Sequence, residues 1–362
     1  MMLWLYLCAS AAALLTSVVQ PGLLNEHCQT DLVHNISLDN AVHQASKLVA
    51  YSGMVGDFKG HERISASIPM NERLLIQIVF TEGFLEDKIE LRQKWLRCCL
   101  AKIEKFLIPH SHADVFVWVP EEKWSEPSWL HEFNNVHIFK LNNQTFGVPC
   151  SMPDHQSWQG RSEFEIDYYL TGRWRLTFSL EFAKKMGYEY ILNIDDDTIL
   201  TEPVQYSIHN RAKTDNLKLA VLKNSKSRNL RYIDGLVELT KDWLLKRKYD
   251  IKGDFFCQFG DNITKDISSL NVSHWNREYY AGYFTLISVE WWFDPDVQDY
   301  LHTVLRSGKD IKHRWLEQGV LNMMRLIFVS KEEFLPLDDI HYSHTRDLAE
   351  HRQSCAEHMT LS

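Results

Sequence analysis

The sequence predicts an α/β fold with a mostly parallel central sheet flanked by helices. Two observations carry that expectation. Short apolar runs of strand length alternate with longer amphipathic segments through most of the chain, and three successive carboxylates close one of the most apolar runs. Leu74-Leu75-Ile76-Gln77-Ile78-Val79-Phe80 reads as a buried strand, and Glu86 to Leu107 as an amphipathic helix. Asp114-Val115-Phe116-Val117-Trp118-Val119 is a second strand closed by Pro120, and Val136-His137-Ile138-Phe139 a third. Beyond Gly160, Tyr168 to Met186 has a helical pattern that stops at Gly187, a residue suited to a C-terminal cap. Tyr188 to Ile194 is the next strand and runs into Asp195-Asp196-Asp197, followed by Thr198-Ile199-Leu200. Leu217 to Leu222 and Tyr279 to Val289 continue the strands, and Val320 to Val329 is an apolar helical run.

Residues 1–20 carry no charged side chain and end at Pro21-Gly22, which predicts a signal peptide or signal anchor. Residues 21–70 show no sustained period and suit a stem or irregular extension, which leaves 71–362 as one catalytic domain. Sequons at Asn35, Asn143, Asn262 and Asn271 agree with entry into the secretory pathway. Outside the leader the cysteines are Cys28, Cys98, Cys99, Cys150, Cys257 and Cys355, material for disulfides in an oxidising lumen. The absence of a CxxC pair argues against a structural zinc site. A formal net charge of -9 leaves no basic surplus to neutralise phosphates, so nucleic acid is not an expected partner. No GxSxG element supports a serine hydrolase.

The carboxylates carry the chemistry. In a parallel sheet, ligands gather at the carboxyl ends of the strands, where Asp195, Asp196 and Asp197 fall. Packed carboxylates repel one another and recruit a cation, and Mg²⁺ or Mn²⁺ held by such oxygens bridges to a diphosphate. That is the Asp-x-Asp logic of nucleotide-sugar transferases. The alternative is an acidic surface turn, which the strongly apolar strand before it disfavours. Later, Asp338-Asp339-Ile340-His341-Tyr342-Ser343-His344 places two imidazoles in a predicted loop, where a neutral nitrogen can complete a metal shell. Arg314 can pair with phosphate or a carboxylate, and Glu317, at a helix start, can hydrogen-bond a sugar hydroxyl.

In this order the motifs resemble the fungal Golgi α-1,2-mannosyltransferases, glycosyltransferase family 15. Tyr168 with Arg173-Trp174 matches that family's Tyr followed five residues later by Arg and an aromatic. The strand from Tyr188 through Asp195-Asp196-Asp197 matches its Tyr-rich strand ending in Glu-Pro-Asp. Arg314-Trp315-Leu316-Glu317 matches its Arg-Trp-Gly-Asp, and Asp339-Ile340-His341-Tyr342-Ser343-His344 its Asp-Ile-Gly-Tyr-His-His. The resemblance implies a GT-A fold, a retaining reaction and Mn²⁺ with GDP-mannose as donor. It puts Asp195 in the place of the family's metal-binding Glu and His344 in that of its metal-binding His, with Asp197 beside them. It puts Tyr168 at the active site, near the reacting sugar.

Where the family has a Phe-Glu pair, this chain has Phe284-Thr285, which cannot act as a carboxylate nucleophile and favours same-face retention without a covalent intermediate. Glu278 and Glu290 flank that position. The functional expectation is therefore a metal-dependent hexosyltransferase, with catalytic Tyr168 and Glu317. Donor contacts fall to Arg173, Asp195, Asp196, Asp197 and Arg314, and the metal to Asp195, Asp197 and His344. Its expected partners are a nucleotide sugar and a glycan or glycoprotein acceptor. Its expected place is the lumen of Golgi or ER, anchored through the N-terminal segment, or secreted if the leader is cleaved. The rivals are a UDP-sugar transferase on the same fold and a non-catalytic lumenal sugar-binding protein.

Overall fold

The computed structural model describes residues 39–46, 68–81, 89–120, 124, 127–133, 136–141, 146–148, 152, 154–222, 225–227, 233–260, 266–280 and 282–344. The apolar leader, Cys28, Cys150, Cys355 and the sequons at Asn35, Asn143 and Asn262 lie outside them. The strands are β1 (Leu74–Val79), β2 (Ala113–Pro120), β3 (Val136–Leu141), β4 (Tyr190–Asp195), β5 (Thr198–Leu200) and β6 (Leu219–Leu222). They continue as β7 (Ser225–Ser227), β8 (Glu278–Tyr280), β9 (Phe284–Ser288), β10 (Phe334–Leu337) and β11 (Tyr342–His344). The helices are α1 (Ile89–Phe106), α2 (Ile166–Leu176), α3 (Phe178–Met186), α4 (Ile208–Thr214) and α5 (Leu236–Arg247). After them come α6 (Val289–Trp292), α7 (Pro295–Ser307), α8 (Lys309–Lys312) and α9 (Leu316–Phe328).

Seven strands make one sheet in the order β10-β6-β9-β4-β1-β2-β3, so strands from both sides of Gly160 share it. All neighbours run parallel except β9, which lies antiparallel between β4 and β6. The sheet is covered on both faces, which is why its central strands read as continuous apolar runs. Leu75, Val79, Phe116 and Trp118 point to the face packed by α2, α3, α5, α7 and α9. Leu74, Ile76, Ile78, Val115 and Val117, one residue out of phase, point to the face packed by α1 and α4. On the first face Trp118 sits 4.8 Å from Phe139, 5.2 Å from Trp174 and 5.0 Å from Phe182, ring centre to ring centre. This aromatic packing ties α2 and α3 to the sheet.

Two departures from the sequence reading have local causes. The single helix expected from Tyr168 to Met186 is two, α2 and α3, broken at Thr177 (φ -128°, ψ -91°), whose hydroxyl donates to the Arg173 carbonyl. Its end at Gly187 has φ +87°, a left-handed cap that glycine adopts without strain. The run from Tyr279 to Val289 is not one strand, since β8 pairs with β7 in a separate ribbon while β9 enters the main sheet. Among the described residues no helix is long and apolar enough to cross a membrane. Cys98 is disulfide-bonded, while Cys99 and Cys257 carry free thiols.

Candidate active site

β4 ends at Asp195, Asp196 and Asp197 form the turn, and β5 follows at once. The turn stands at the carboxyl edge of the parallel strands, because β1, β2 and β3 run the same way as β4. Distant segments complete the cluster. β11 pairs antiparallel with β5 in the register Thr198↔His344, which sets the His344 ring beside the turn. His344 Nε2 is 3.3 Å from Asp197 Oδ1. One ligand atom each from Asp195, Asp197 and His344 lies within 4.8 Å of the others.

Two buried arginines face these carboxylates. Arg92, from the first turn of α1, pairs with Asp196 and, at 3.2 Å, with Asp197. Arg175, from the last turn of α2, lies 2.6 Å from Asp195 and 3.3 Å from Glu317, and also donates to the Ile194 carbonyl. Burial works against the Arg175 charge, but Asp195 and Glu317 outweigh it and push its pKa up, so it stays a cation. Among the described residues, four carboxylates, Asp195, Asp196, Asp197 and Glu317, thus face the two guanidinium groups. Beneath the turn the Cys99 thiol is held neutral, chiefly by burial and then by Asp196, Asp197 and Asp195, which raise its pKa well above normal.

One stripe of α2 lines the approach to this cluster. Tyr168, Gly172 and Arg175 recur at helical spacing and all meet the segment from Arg314 to Glu317. Arg314 donates to the Tyr168 hydroxyl at 3.2 Å, and its guanidinium lies 3.7 Å from the centre of the Phe164 ring. Phe164 stacks in turn on Tyr168 at 4.6 Å. A Cβ on Gly172 would come within 2.8 Å of Glu317 Oε2 and 3.0 Å of Leu316 Cβ, so a larger residue there would push the Glu317 side chain aside and crowd Leu316. Arg314 and Leu316 have φ of +55° and +52°, a left-handed backbone that side chains rarely accept and that a tight local fit must hold in place.

Several expected residues lie elsewhere. Arg173 does not reach the carboxylate cluster: it pairs at 3.3 Å with Asp310, which is 1% exposed. Two residues apart on a helix point about 200° apart. The helix face that places Arg175 on Asp195 therefore turns Arg173 away. Arg314 joins Tyr168 and Phe164, about 10 Å along α2 from Arg175. Glu317 faces Arg175 and lies 6% exposed. His341 is exposed, 3.8 Å from Glu202. Thr285 is buried in β9, its hydroxyl donated to the Gly282 carbonyl. Glu290 opens α6 at the opposite edge of the sheet, as the register Tyr190↔Ser288 requires. The sequence reading missed Arg92, Arg175 and Tyr283, whose ring stacks on that of His344 with centres 4.4 Å apart. Tyr168 offered a signal for one of them, since its own helix face contains 175 and not 173.

No family model matches the chain, and no curated protein matches it in sequence. Solved structures do. Core-mannan synthase A of Aspergillus fumigatus, in a Mn/GDP form, superposes with a TM-score of 0.61 at 12% identity, over 80% of this chain and 81% of that one. The mannosyltransferase Ktr4p of S. cerevisiae in complex with GDP gives 0.60 at 11% identity, over 90% and 83%. At this identity the likeness is one of fold, and the fold is that of the GT-A glycosyltransferases.

Proposed function

We propose that the chain is a retaining, metal-dependent glycosyltransferase that moves mannose from GDP-mannose to a glycan or glycoprotein acceptor in the secretory pathway. One observation carries this reading most: Asp195, Asp197 and His344, from two elements far apart in sequence, converge at the carboxyl edge of a GT-A sheet. Mn and GDP appear in the name of the A. fumigatus structure and GDP in that of the S. cerevisiae one. The catalytic domain of this reading runs from about residue 71 to the end of the chain.

The donor set fits a divalent cation. One ligand atom each from Asp195, Asp197 and His344 lies within 4.8 Å of the others, so one ion could be held by all three. The two carboxylates suit a hard divalent cation such as Mg²⁺ or Mn²⁺, with the imidazole as a third donor. When bound, the cation supplies Lewis acidity that stabilises charge on the departing diphosphate.

The chain's own residues do the rest. Arg92 and Arg175 hold the Asp turn so that its oxygens need not reorganise during the reaction. Tyr168, half-buried and stacked on Phe164, offers a ring and a hydroxyl to the reacting sugars. Glu317 anchors Arg175 at the start of α9, between the metal ligands and Tyr168. With Thr285 committed to a backbone carbonyl, no carboxylate nucleophile stands at that position. The acceptor proton then passes to an oxygen of the leaving diphosphate, with attack on the same face of the sugar. In a secretory setting exposed Asn271, whose side chain caps a turn and accepts from Ser273, is a glycan acceptor in its own right.

The test is a panel. Full-length protein is incubated with Mn²⁺ and GDP-mannose, other GDP-sugars or UDP-sugars, and nucleotide release and melting temperature are followed. Release from GDP-mannose with protection by GDP is the expected result. Protection by UDP alone would transfer the reading to a UDP-sugar donor, and binding without release would make the protein a non-catalytic sugar-nucleotide binder.

A further inference from the structure

We infer that Tyr283 is a positioning residue for the metal centre, holding the His344 imidazole in the plane from which it reaches the cation. The inference rests on the metal-dependent reading above. Tyr283 precedes β9 and is only 7% exposed. Its ring stacks on His344 with centres 4.4 Å apart and planes 22° from parallel. Its hydroxyl lies 2.7 Å from that of Tyr342, two residues before His344 on β11. Its backbone carbonyl accepts the Asp195 N–H at 3.0 Å. One residue therefore touches both arms of the site, through the main chain at Asp195 and through the ring at His344.

The arrangement has a purpose that packing alone does not require. A ligand histidine on a three-residue strand has two side-chain torsions to lose when it binds an ion. A neighbour that fixes those torsions beforehand removes that cost. Aromatic stacking restrains the plane of a ring without taking either of its nitrogens, so Nε2 stays directed at Asp197 and the shared ligand position. The hydroxyl contact with Tyr342 adds a second tie between the β9 entrance and the β5–β11 ribbon.

The experiment is a titration of the full chain with Mn²⁺ alone, read by the electron paramagnetic resonance of free Mn²⁺, with melting temperature measured in parallel. Tyr283→Leu removes the stack and is expected to raise the Mn²⁺ Kd about tenfold. Tyr283→Phe keeps the ring and is expected within about threefold of wild type. Saturating Mn²⁺ should return the Leu variant's turnover to the wild-type value, a rescue that a merely structural defect would not show. If the Leu variant does not fold, Tyr283→Met, closer in volume, takes its place in the same comparison. Equal Kd values for wild type and the stack-free variant would overturn the inference, as would an equal loss in the Phe variant. Failure of wild type to take up Mn²⁺ would instead overturn the metal-dependent reading beneath it.

Discussion

The two edges of the central sheet each bury an arginine against an aspartate, yet they are built differently. At the amino edge Arg73, just before β1, pairs with Asp114 of β2, and the Tyr188 hydroxyl donates to Asp114 at 2.6 Å. One cation meets one anion there, and Arg73, Asp114 and Tyr188 are 4%, 3% and 2% exposed. Burial raises the Asp114 pKa while Arg73 and Tyr188 pull it down. At the carboxyl edge four carboxylates meet two arginines, and the side chain of Asp195 is 27% exposed. The two edges thus share buried ion pairs and differ in how many carboxylates gather there and in exposure.

Substitutions at the two edges should separate these roles. Asp114→Ala leaves Arg73 buried without its carboxylate and should cost about 3–5 kcal/mol in urea denaturation. Turnover per folded molecule should hardly change. Asp197→Asn should do the reverse. Transfer should fall on the order of a thousandfold, beyond the tenfold to hundredfold usual for outer-shell changes. The melting temperature should hold, because Arg92 keeps its pair with Asp196 and one of three adjacent carboxylates loses its charge. A large stability loss in Asp197→Asn, or a turnover loss in Asp114→Ala, would erase the distinction between the edges.

Acid should reveal a balance between two groups outside the carboxylate cluster. Burial, opposed by Arg173, lifts the Asp310 pKa from 3.8 to about 6. Its contribution to stability is therefore full below 3.8 and lost as pH rises through 6. Burial, with help from Arg73, lowers the His137 pKa from 6.5 to about 4, so its contribution is present above 6.5 and lost as pH falls through 4. The two oppose each other across the same window. Asp310→Asn should make the protein lose up to about 3 kcal/mol between pH 6.5 and 4, and His137→Gln should make it gain a similar amount. Denaturant midpoints at several pH values would check both. The smallest effect is expected of Gly172→Ala. Displacing Glu317 by overpacking should cost about 1–2 kcal/mol and loosen Arg175 from Glu317. In a double-mutant cycle with Glu317→Ala, the part of that penalty owed to Glu317 should vanish and the part owed to Leu316 remain.

The strands were legible because apolar runs buried on both faces have few other readings, and β1, β2, β4 and β6 fall within two residues of the expected bounds at each end. The antiparallel course of β9 was not legible, since direction leaves no trace in composition. In the site, the Asp turn announced itself by charge after an apolar strand. The arginines that balance it did not. Arg92 looks like one more charged residue on an amphipathic helix, and its burial depends on where the turn after β4 meets α1. Arg173 and Arg175 are equal candidates by residue type, and only the helix face chooses between them. Tyr283 lay hidden because its role depends on a ring contact with β11, which no local pattern encodes.

The ribbon of β5 and β11 is three residues on each side. Strands so short have little cohesion of their own, and such pieces detach at a fraction of the free energy needed to unfold the whole molecule. Because β11 carries His344, a cation that engages this histidine binds only the attached form and must, by linkage, shift the ribbon toward it. Amide hydrogen exchange at Thr198 to Leu200 and at Tyr342 to His344 should therefore slow as Mn²⁺ is added, while exchange in β1 and β2 stays as it was. A bound cation would then be registered as local order, at the rim of a sheet whose centre takes no notice.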